Sequence, residues 1–282
     1  MNIHNVPHSK DFLEKLKAIS EKPVLTAFLV LLFLSVIVLG MSYQYYEHDY
    51  YNFVGQVLAE AHGMLFDIAV IGILIYWLNE NGERRLRINT YKDEIDDFRL
   101  WESEEAAFRT VGNIKRLNRH KIFNVNLVNC YLAKTNLSYV ILKGANLNSA
   151  NVTHSNLVQC NLENARLNRT SFENSNLNQA QMQSAYGSGA IFKDAFMIKA
   201  NLQNAFLIKA DFRNSFLMEA NLNGANVTGA DFKNANLYKA DFRNVIGLTI
   251  EQLASVKTLY LAKFDEEIMA QIRKKYLYLL EK

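Results

Sequence analysis

The side chains that could carry out chemistry are scattered along this chain of 282 residues. Catalytic and metal sites usually leave short motifs of fixed spacing, but the sequence has no HExxH pair, glycine-rich phosphate loop or GxSxG turn. The six histidines fall in unrelated regions: His4, His8, His48, His62, His120 and His154. We therefore predict that the protein is not an enzyme and has neither a cofactor nor a metal site.

A five-residue frame dominates the second half of the sequence. From Ile122 to Phe242, every fifth residue is Leu, Ile, Val, Met or Phe, with Gly187 as the exception. The residue two places earlier is small in every repeat after the first. A period of five fits neither a helix nor a strand, and indicates a solenoid whose units bury their apolar residues against each other. Such a fold favours binding over catalysis.

The repeats Ala200–Asn204 and Ala210–Asn214 resemble the A(D/N)LXX consensus of the pentapeptide-repeat family. The resemblance implies a right-handed quadrilateral β-helix with four pentapeptides in each coil. At twenty residues per coil, one wall would carry an inward column of phenylalanines: Phe172, Phe192, Phe212 and Phe232. Gly187 interrupts another column, which predicts a local void or bulge, or alternatively a hinge or groove. Cys130 and Cys160 would lie one and a half coils apart, as buried reduced thiols beyond disulfide reach.

The first half of the chain contains two apolar stretches that predict membrane spans. The stretch from Val24 to Met41 is uncharged over 18 residues, and a second runs from Met64 to Leu78 with its span starting near Ala59. No Lys or Arg occurs between Pro23 and Glu83, whereas basic residues flank this region on both sides. The positive-inside rule therefore predicts a multi-pass protein of the bacterial inner (cytoplasmic) membrane with both termini in the cytoplasm.

Polar residues inside the second span are candidates for function. Glu60, Gly63 and Asp67 are spaced three and four residues apart, which places them on one face of a helix. An ionisable group within a span is costly unless it is paired or hydrated, so this face could line an oligomer interface or a pore. Alternatively, Asp67 bonds within the hairpin, for instance to Ser35, or lies near the outer membrane surface.

The predicted fold class is an all-β solenoid with helical additions. These are an N-terminal two-helix transmembrane hairpin, a helical linker and a C-terminal helical cap. The domains are a cytoplasmic segment (1–22), the hairpin (23–82), the linker (83–119), the β-helix (120–244) and the cap (245–282). The linker has an apolar stripe that would pack on the first coil or form a coiled coil, with a helix start near Ser103. Thr249 and Gln252 form a predicted capping box, and Asp265 begins a second predicted helix.

The outer face of the solenoid supplies the predicted binding surfaces. The residue before each central position should point outward, and 14 of these 25 residues are Asn or Asp. Apolar residues cluster on two opposite walls instead. The Phe196 wall comprises Phe196, Ile198, Phe216, Met218 and Tyr238, and the Tyr186 patch comprises Tyr186, Phe206 and Ile208. Exposed apolar area of this kind marks an interface, unless the linker or the cap folds over it.

Three functions follow from these patterns. The first is a membrane-anchored scaffold that binds a protein partner or itself through the β-helix, with membrane lipid around its hairpin. The second is a membrane-disrupting or pore-forming effector of a defence or toxin system, oligomerised by the β-helix. The third is nucleic-acid or topoisomerase-related binding, since some members of the resembled family mimic DNA with an acidic surface. The repeat region has twelve Lys or Arg against seven Asp or Glu, which has the wrong sign for a mimic.

Overall fold

The computed structural model describes residues 31–33, 35–37, 40, 43 and 50–281. Contacts divide the chain into two units, with the boundary between Glu80 and Asn81. The predicted segment 1–22 and most of the predicted first span lie outside the described residues. The parts of that span that are described, at 31–33, 35–37 and 40, are helical.

Helix α1 runs without a break from Tyr50 to Asp97 over 48 residues. It contains the second apolar stretch, and the predicted domain boundary between residues 82 and 83 falls inside it. None of the most apolar window of α1 is buried against protein, and Phe66, Ile73 and Trp77 are largely exposed. Among the described residues, α1 is the helix that is long and apolar enough to cross a membrane.

Helix α2, Glu104–Arg119, joins α1 to the repeats. Ser103 is its N-cap and accepts a hydrogen bond from the N–H of Ala106, as the sequence predicts. Its apolar face, which includes Ile114 and Leu117, belongs to the same core as the first repeats. The Asn118 side chain bonds both backbone groups of Ile141, at 2.7 and 2.9 Å. The apolar stripe therefore packs on the solenoid rather than forming a coiled coil.

The repeats form a β-helix with four sides. Each outward residue makes a parallel bridge to the residue twenty positions later, from Asn126–Asn146 through to Asn226–Ile246. A turn follows each bridged residue. In the first of these turns Asn129 has φ 57° and the N–H of Cys130 donates to the carbonyl of Leu127, as in a type II turn. Each side of a coil is thus one short β segment and one turn, repeated along the axis.

The core consists of columns of identical or similar side chains. The predicted phenylalanine column is confirmed, because Phe172, Phe192, Phe212 and Phe232 are fully buried and their rings stack 5.2, 5.0 and 5.1 Å apart. The predicted bulge at Gly187 is wrong. Its N–H donates to Phe206 at 2.7 Å and the twenty-residue register continues on both sides. The side chain of Leu207 fills the adjacent space, since a Cβ on Gly187 would lie 3.2 Å from Leu207 Cδ2.

The repeat pattern continues beyond the point where the sequence frame is lost. After Ile246 the chain forms the short helix α3, Ile250–Leu253, which the predicted capping box of Thr249 and Gln252 begins. The Gln252 amide also donates to the carbonyls of Val227 and Ala230. The chain then re-enters the ladder, with Thr258 bridged to Asn236 and Lys263 to Asp241. The spacing is now 22 residues, because α3 absorbs two extra residues.

Two helical elements end the described chain. Helix α4 spans Glu266–Lys275, and a 3₁₀-helix spans Leu277–Leu280. Asp265 precedes α4, as predicted, but its carboxylate accepts from the N–H of Asn244 instead of capping the helix. The carbonyl of Leu279 accepts from Leu259 at 2.7 Å. The C-terminal segment is therefore bonded to the last coil.

Both cysteine thiols are buried at inward positions of the β-helix and are not bonded to each other. Burial raises the pKa of Cys130 to about 11 and that of Cys160 to about 12. Because the thiolate is the reactive form, we expect neither thiol to react with Ellman's reagent at about pH 8 until the solenoid opens. Release of two equivalents only on addition of denaturant is the expected result. Rapid labelling of the native chain would contradict the inward placement.

Candidate interaction surfaces

The outward Asn and Asp residues have a structural role beyond their exposure. All fourteen accept a hydrogen bond through Oδ1 from the N–H two residues later, at 2.9 to 3.3 Å. This is an Asx turn, which satisfies a backbone donor that the ladder leaves free. Sequence reasoning missed this role, although the preference for Asn and Asp in short turns was the available signal. These polar residues therefore stabilise the turns, whatever else the surface binds.

The apolar residues at the same position give up this hydrogen bond. At Tyr186 and Phe196 an asparagine of the preceding coil replaces it, with Asn178 Oδ1 accepting from Ile198 at 2.8 Å. At Phe206 and Phe216 no described residue accepts from the N–H two positions on. A hydrogen bond contributes about 0.5–1.5 kcal/mol. The aromatic residues are thus placed where the repeat itself favours asparagine.

The Phe196 wall forms two adjacent apolar columns. Phe196 and Phe216 stack with ring centroids 4.8 Å apart and planes at 3°, and Phe196 is 43% exposed. The half-buried side chains of Ile198, Met218 and Tyr238 form the second column. Tyr238 stacks on Tyr260 at 5.8 Å, so the C-terminal segment extends the wall instead of covering it.

A shallow groove of about 380 Å³ lies at the C-terminal end of the Phe196 wall. Its lining residues are Met218, Asn236, Tyr238, Lys257, Thr258 and Tyr260. The rim is charged, because the Lys239 ammonium lies 5.0 Å from the centre of the Tyr238 ring and Lys199 lies 3.7 Å from Glu219. An apolar centre with a charged rim is the composition of a protein interface. Tyr260 belongs to this surface only through the 22-residue spacing, which no five-residue frame reveals.

The Tyr186 patch is smaller and lies half a coil away. Tyr186 and Phe206 stack at 5.1 Å with planes at 1°, and they are 45% and 43% exposed. Ile208 is half-buried beside them. Ten residues, or two pentapeptides, separate Tyr186 from Phe196. The two surfaces therefore face opposite directions and could bind two partners independently.

The predicted polar face of the second span lies on α1. Glu60, Gly63 and Asp67 are all exposed, and a Cβ built on Gly63 would meet no atom within 4 Å. The alternative bond between Asp67 and Ser35 is absent from the described part of the chain. The Ser35 hydroxyl instead donates to the carbonyl of Leu31 at 2.8 Å.

The geometry offers no site for a metal among the residues described. No group of three His, Cys, Asp or Glu side chains there is placed to hold one ion. The ring of His120 lies 6.2 Å from that of Tyr91, and His62 Nδ1 is 2.7 Å from the carbonyl of Leu58. These histidines are engaged in local contacts.

Coils of twenty residues, small inward corners and stacked central side chains define a β-helical repeat protein. The family model described as pentapeptide repeats matches in eight copies, over residues 126–164, 155–186, 188–217 and 215–246. A pentapeptide repeat protein from the Arabidopsis thaliana thylakoid lumen is 30% identical over 43% of this chain and 72% of its own, with a TM-score of 0.26. The chain belongs to the pentapeptide-repeat family, and its repeats form a right-handed β-helix.

Two further solved structures are similar to this chain. QnrB1, a plasmid-mediated fluoroquinolone resistance protein, is 17% identical over 54% of this chain and 87% of its own, with a TM-score of 0.28. HetL, a pentapeptide repeat protein involved in heterocyst differentiation regulation in a Nostoc cyanobacterium, is 20% identical over 54% and 90%, with a TM-score of 0.17. No curated protein matches the sequence.

Proposed function

We propose that this protein is a non-enzymatic, membrane-anchored scaffold whose β-helix binds a protein partner, or a second copy of itself, through the Phe196 wall. The observation that carries the proposal is the pair of stacked, exposed aromatic residues at positions where asparagine would complete an Asx turn. The Tyr186 patch is a second, smaller binding surface in this proposal.

Stacking within the solenoid does not account for these aromatic residues. An aromatic pair contributes about 0.5–1.5 kcal/mol beyond its buried area, which only offsets the turn hydrogen bonds that the pair gives up. The outer part of each ring remains in contact with water, although it is large enough to bury against a partner. Binding to another protein supplies the missing advantage, because aromatic residues dominate interface energies.

The membrane part of the proposal is supported by α1 and by the charge pattern. The exposed apolar side chains of α1 need a nonpolar environment that the described residues do not provide. With the span from Val24 to Met41, α1 would complete a hairpin in the bacterial inner membrane, with both termini in the cytoplasm. In this arrangement the C-terminal segment acts as a cap, since its hydrogen bonds to the last coil cover a strand edge that would otherwise associate with another chain.

The substitution Phe216→Asn tests the binding surface without weakening the fold. Asn is the commonest residue at this repeat position and would restore the Asx turn to the N–H of Met218. We expect the melting temperature to stay at or above the wild-type value while association with the partner, or with itself, weakens at least about tenfold. Crosslinking in intact membranes followed by size-exclusion chromatography in detergent measures the association.

Tyr131→Asn is the matched control, because Tyr131 occupies the same repeat position outside both apolar surfaces. It should leave association unchanged. Equal association of wild type and Phe216→Asn would remove the case for the Phe196 wall. A loss of association in the Tyr131 variant as well would show that the effect is not specific to that wall.

The second candidate function is the membrane effector, which the polar face of α1 favours. Asp67 lies on an exposed face with Gly63, and a charge there would be stabilised in lipid by contact with other copies around water. We expect overexpression to depolarise cells if this function holds, and Asp67→Asn to change the depolarisation measured with a potential-sensitive dye. Glu83→Gln, a neutralised carboxylate beyond the apolar stretch, is the control. A constant membrane potential in the wild-type strain would eliminate the effector.

A nucleic-acid or topoisomerase-related role is the third candidate and has the least support. Several basic side chains of the β-helix are already paired along the axis, as Lys193 is with Glu173 at 2.7 Å and Lys143 with Glu163 at 3.0 Å. They are therefore less available to phosphates than a free basic stripe would be.

A further inference from the structure

Basic residues are concentrated in two short segments at α1 and α2. Residues 84–92 and 115–121 contain eight Lys or Arg residues and no acidic one: Arg84, Arg85, Arg87, Lys92, Lys115, Arg116, Arg119 and Lys121. The whole chain has a net charge of only +3, so this local charge exceeds that of the molecule. All eight residues are exposed.

The structure brings the two segments together. An Arg84 Nη atom donates to the carbonyl of His120 at 3.1 Å, where α2 ends. The Arg116 guanidinium lies 5.6 Å from the centre of the Tyr91 ring. The antiparallel contact of α1 and α2 therefore produces one basic cluster from residues about thirty positions apart.

The acidic residues of the same helices collect at the opposite end. The last turns of α1 carry Asp93, Glu94, Asp96 and Asp97, and α2 begins with Glu104 and Glu105. Arg109 joins the two acidic ends, at 3.6 Å from Glu94 and 2.9 Å from Glu105. Each helix thus has its basic residues at the end that is nearer, along α1, to the apolar stretch ending at Leu78.

The helix dipole explains this arrangement in α2 but not in α1. A helix favours acidic residues at its N-terminus and basic residues at its C-terminus, which is the order found in α2. In α1 the acidic residues occupy the C-terminal turns, where the dipole makes them unfavourable, and no basic residue lies in the last turn. Another interaction must therefore favour the polarity of charge along α1.

We propose that this basic cluster binds the headgroups of anionic phospholipids. The inference depends on the proposed membrane anchorage of α1. Arg84 follows Leu78 by six residues, or about 9 Å of helix, which places the cluster at the depth of the headgroups when the apolar stretch spans the bilayer. Clusters of about four to eight basic residues next to a span attract anionic lipid by about 1 kcal/mol per charge, which is about a fivefold factor in affinity.

The test compares two triple variants of the full-length chain in mixed detergent micelles at about 0.15 M salt. The first variant carries Arg85→Gln, Arg119→Gln and Lys121→Gln, and it leaves the structural contacts of Arg84 and Arg116 intact. The second carries Arg169→Gln, Lys209→Gln and Lys233→Gln, the same charge change on the solenoid. Binding of phosphatidylglycerol and of phosphatidylcholine is measured by native mass spectrometry.

We expect the wild type and the solenoid variant to prefer phosphatidylglycerol at least about tenfold, and the cluster variant to lose that preference. No preference in the wild type, or equal losses in both variants, would overturn the lipid site. Displacement of the lipid by inorganic phosphate or by duplex DNA would overturn it in favour of a phosphate-ion or nucleic-acid site.

Alkaline extraction of membranes separates this result from anchorage. Release of the wild type would contradict the anchor, whereas retention without lipid preference would contradict the cluster alone.

Discussion

The full-length chain carrying Leu202→Lys is expected to lose its folded solenoid at room temperature. Leu202 is fully buried between Met182 and Leu222 of the neighbouring coils, and its N–H donates to Asn221 at 2.7 Å. A lysine there would place an unpaired charge among apolar side chains at a cost of more than about 4 kcal/mol. Circular dichroism and limited proteolysis of the purified chain measure the loss.

The neighbouring substitution Asn201→Lys is the control for Leu202→Lys. Asn201 points outward, so the variant loses one Asx-turn hydrogen bond and places its charge in water. We expect it to cost about 1 kcal/mol and to leave the solenoid folded. If Leu202→Lys kept wild-type stability, the inward assignment of every fifth residue would be wrong.

Phe192→Ala is expected to produce the next largest loss, about 3–5 kcal/mol of unfolding free energy. Phe192 is fully buried between Phe172 and Phe212, and the neighbouring coils cannot close the space because their own ladders fix their separation. Denaturant titration followed by circular dichroism measures the change.

Phe196→Ala is the matched control for the phenylalanine column. Phe196 stacks on Phe216 with similar spacing, but on the outside of the wall. Its loss should cost about 1 kcal/mol in stability. Equal effects at Phe192 and Phe196 would contradict the distinction between a core column and a binding surface. A small effect at both would show that the coils relax independently.

The β-helix could be predicted from the sequence because its interactions are periodic. One coil buries its central residues on the next, so the same requirement recurs every five residues, and the corner residue must be small at each turn. The twenty-residue coil was implied by the family resemblance, and the bridges from Asn126 to Ile246 show it directly. The exposed positions of Phe196 and Phe206 followed from the same frame.

The role of the outward Asn and Asp residues could not be deduced from the frame alone. The frame shows that they are exposed, but their hydrogen bonds depend on the backbone geometry of each turn. Only the folded structure shows that an asparagine of the preceding coil serves the N–H groups of Ser188 and Ile198. This distinction separates residues that maintain the turn from residues available to a partner.

The amino-acid sequence by itself determined the inward columns, the helix starts at Ser103 and Thr249, and the apolar stretches, because each depends on residues close in the chain or on a constant period. The tertiary structure alone decided the re-entry of Thr258 into the ladder, the stacking of Tyr260 on Tyr238 and the meeting of the basic ends of α1 and α2. A two-residue insertion in α3 and an antiparallel helix contact erase any fixed spacing, so the contacts they create exist only in the folded chain.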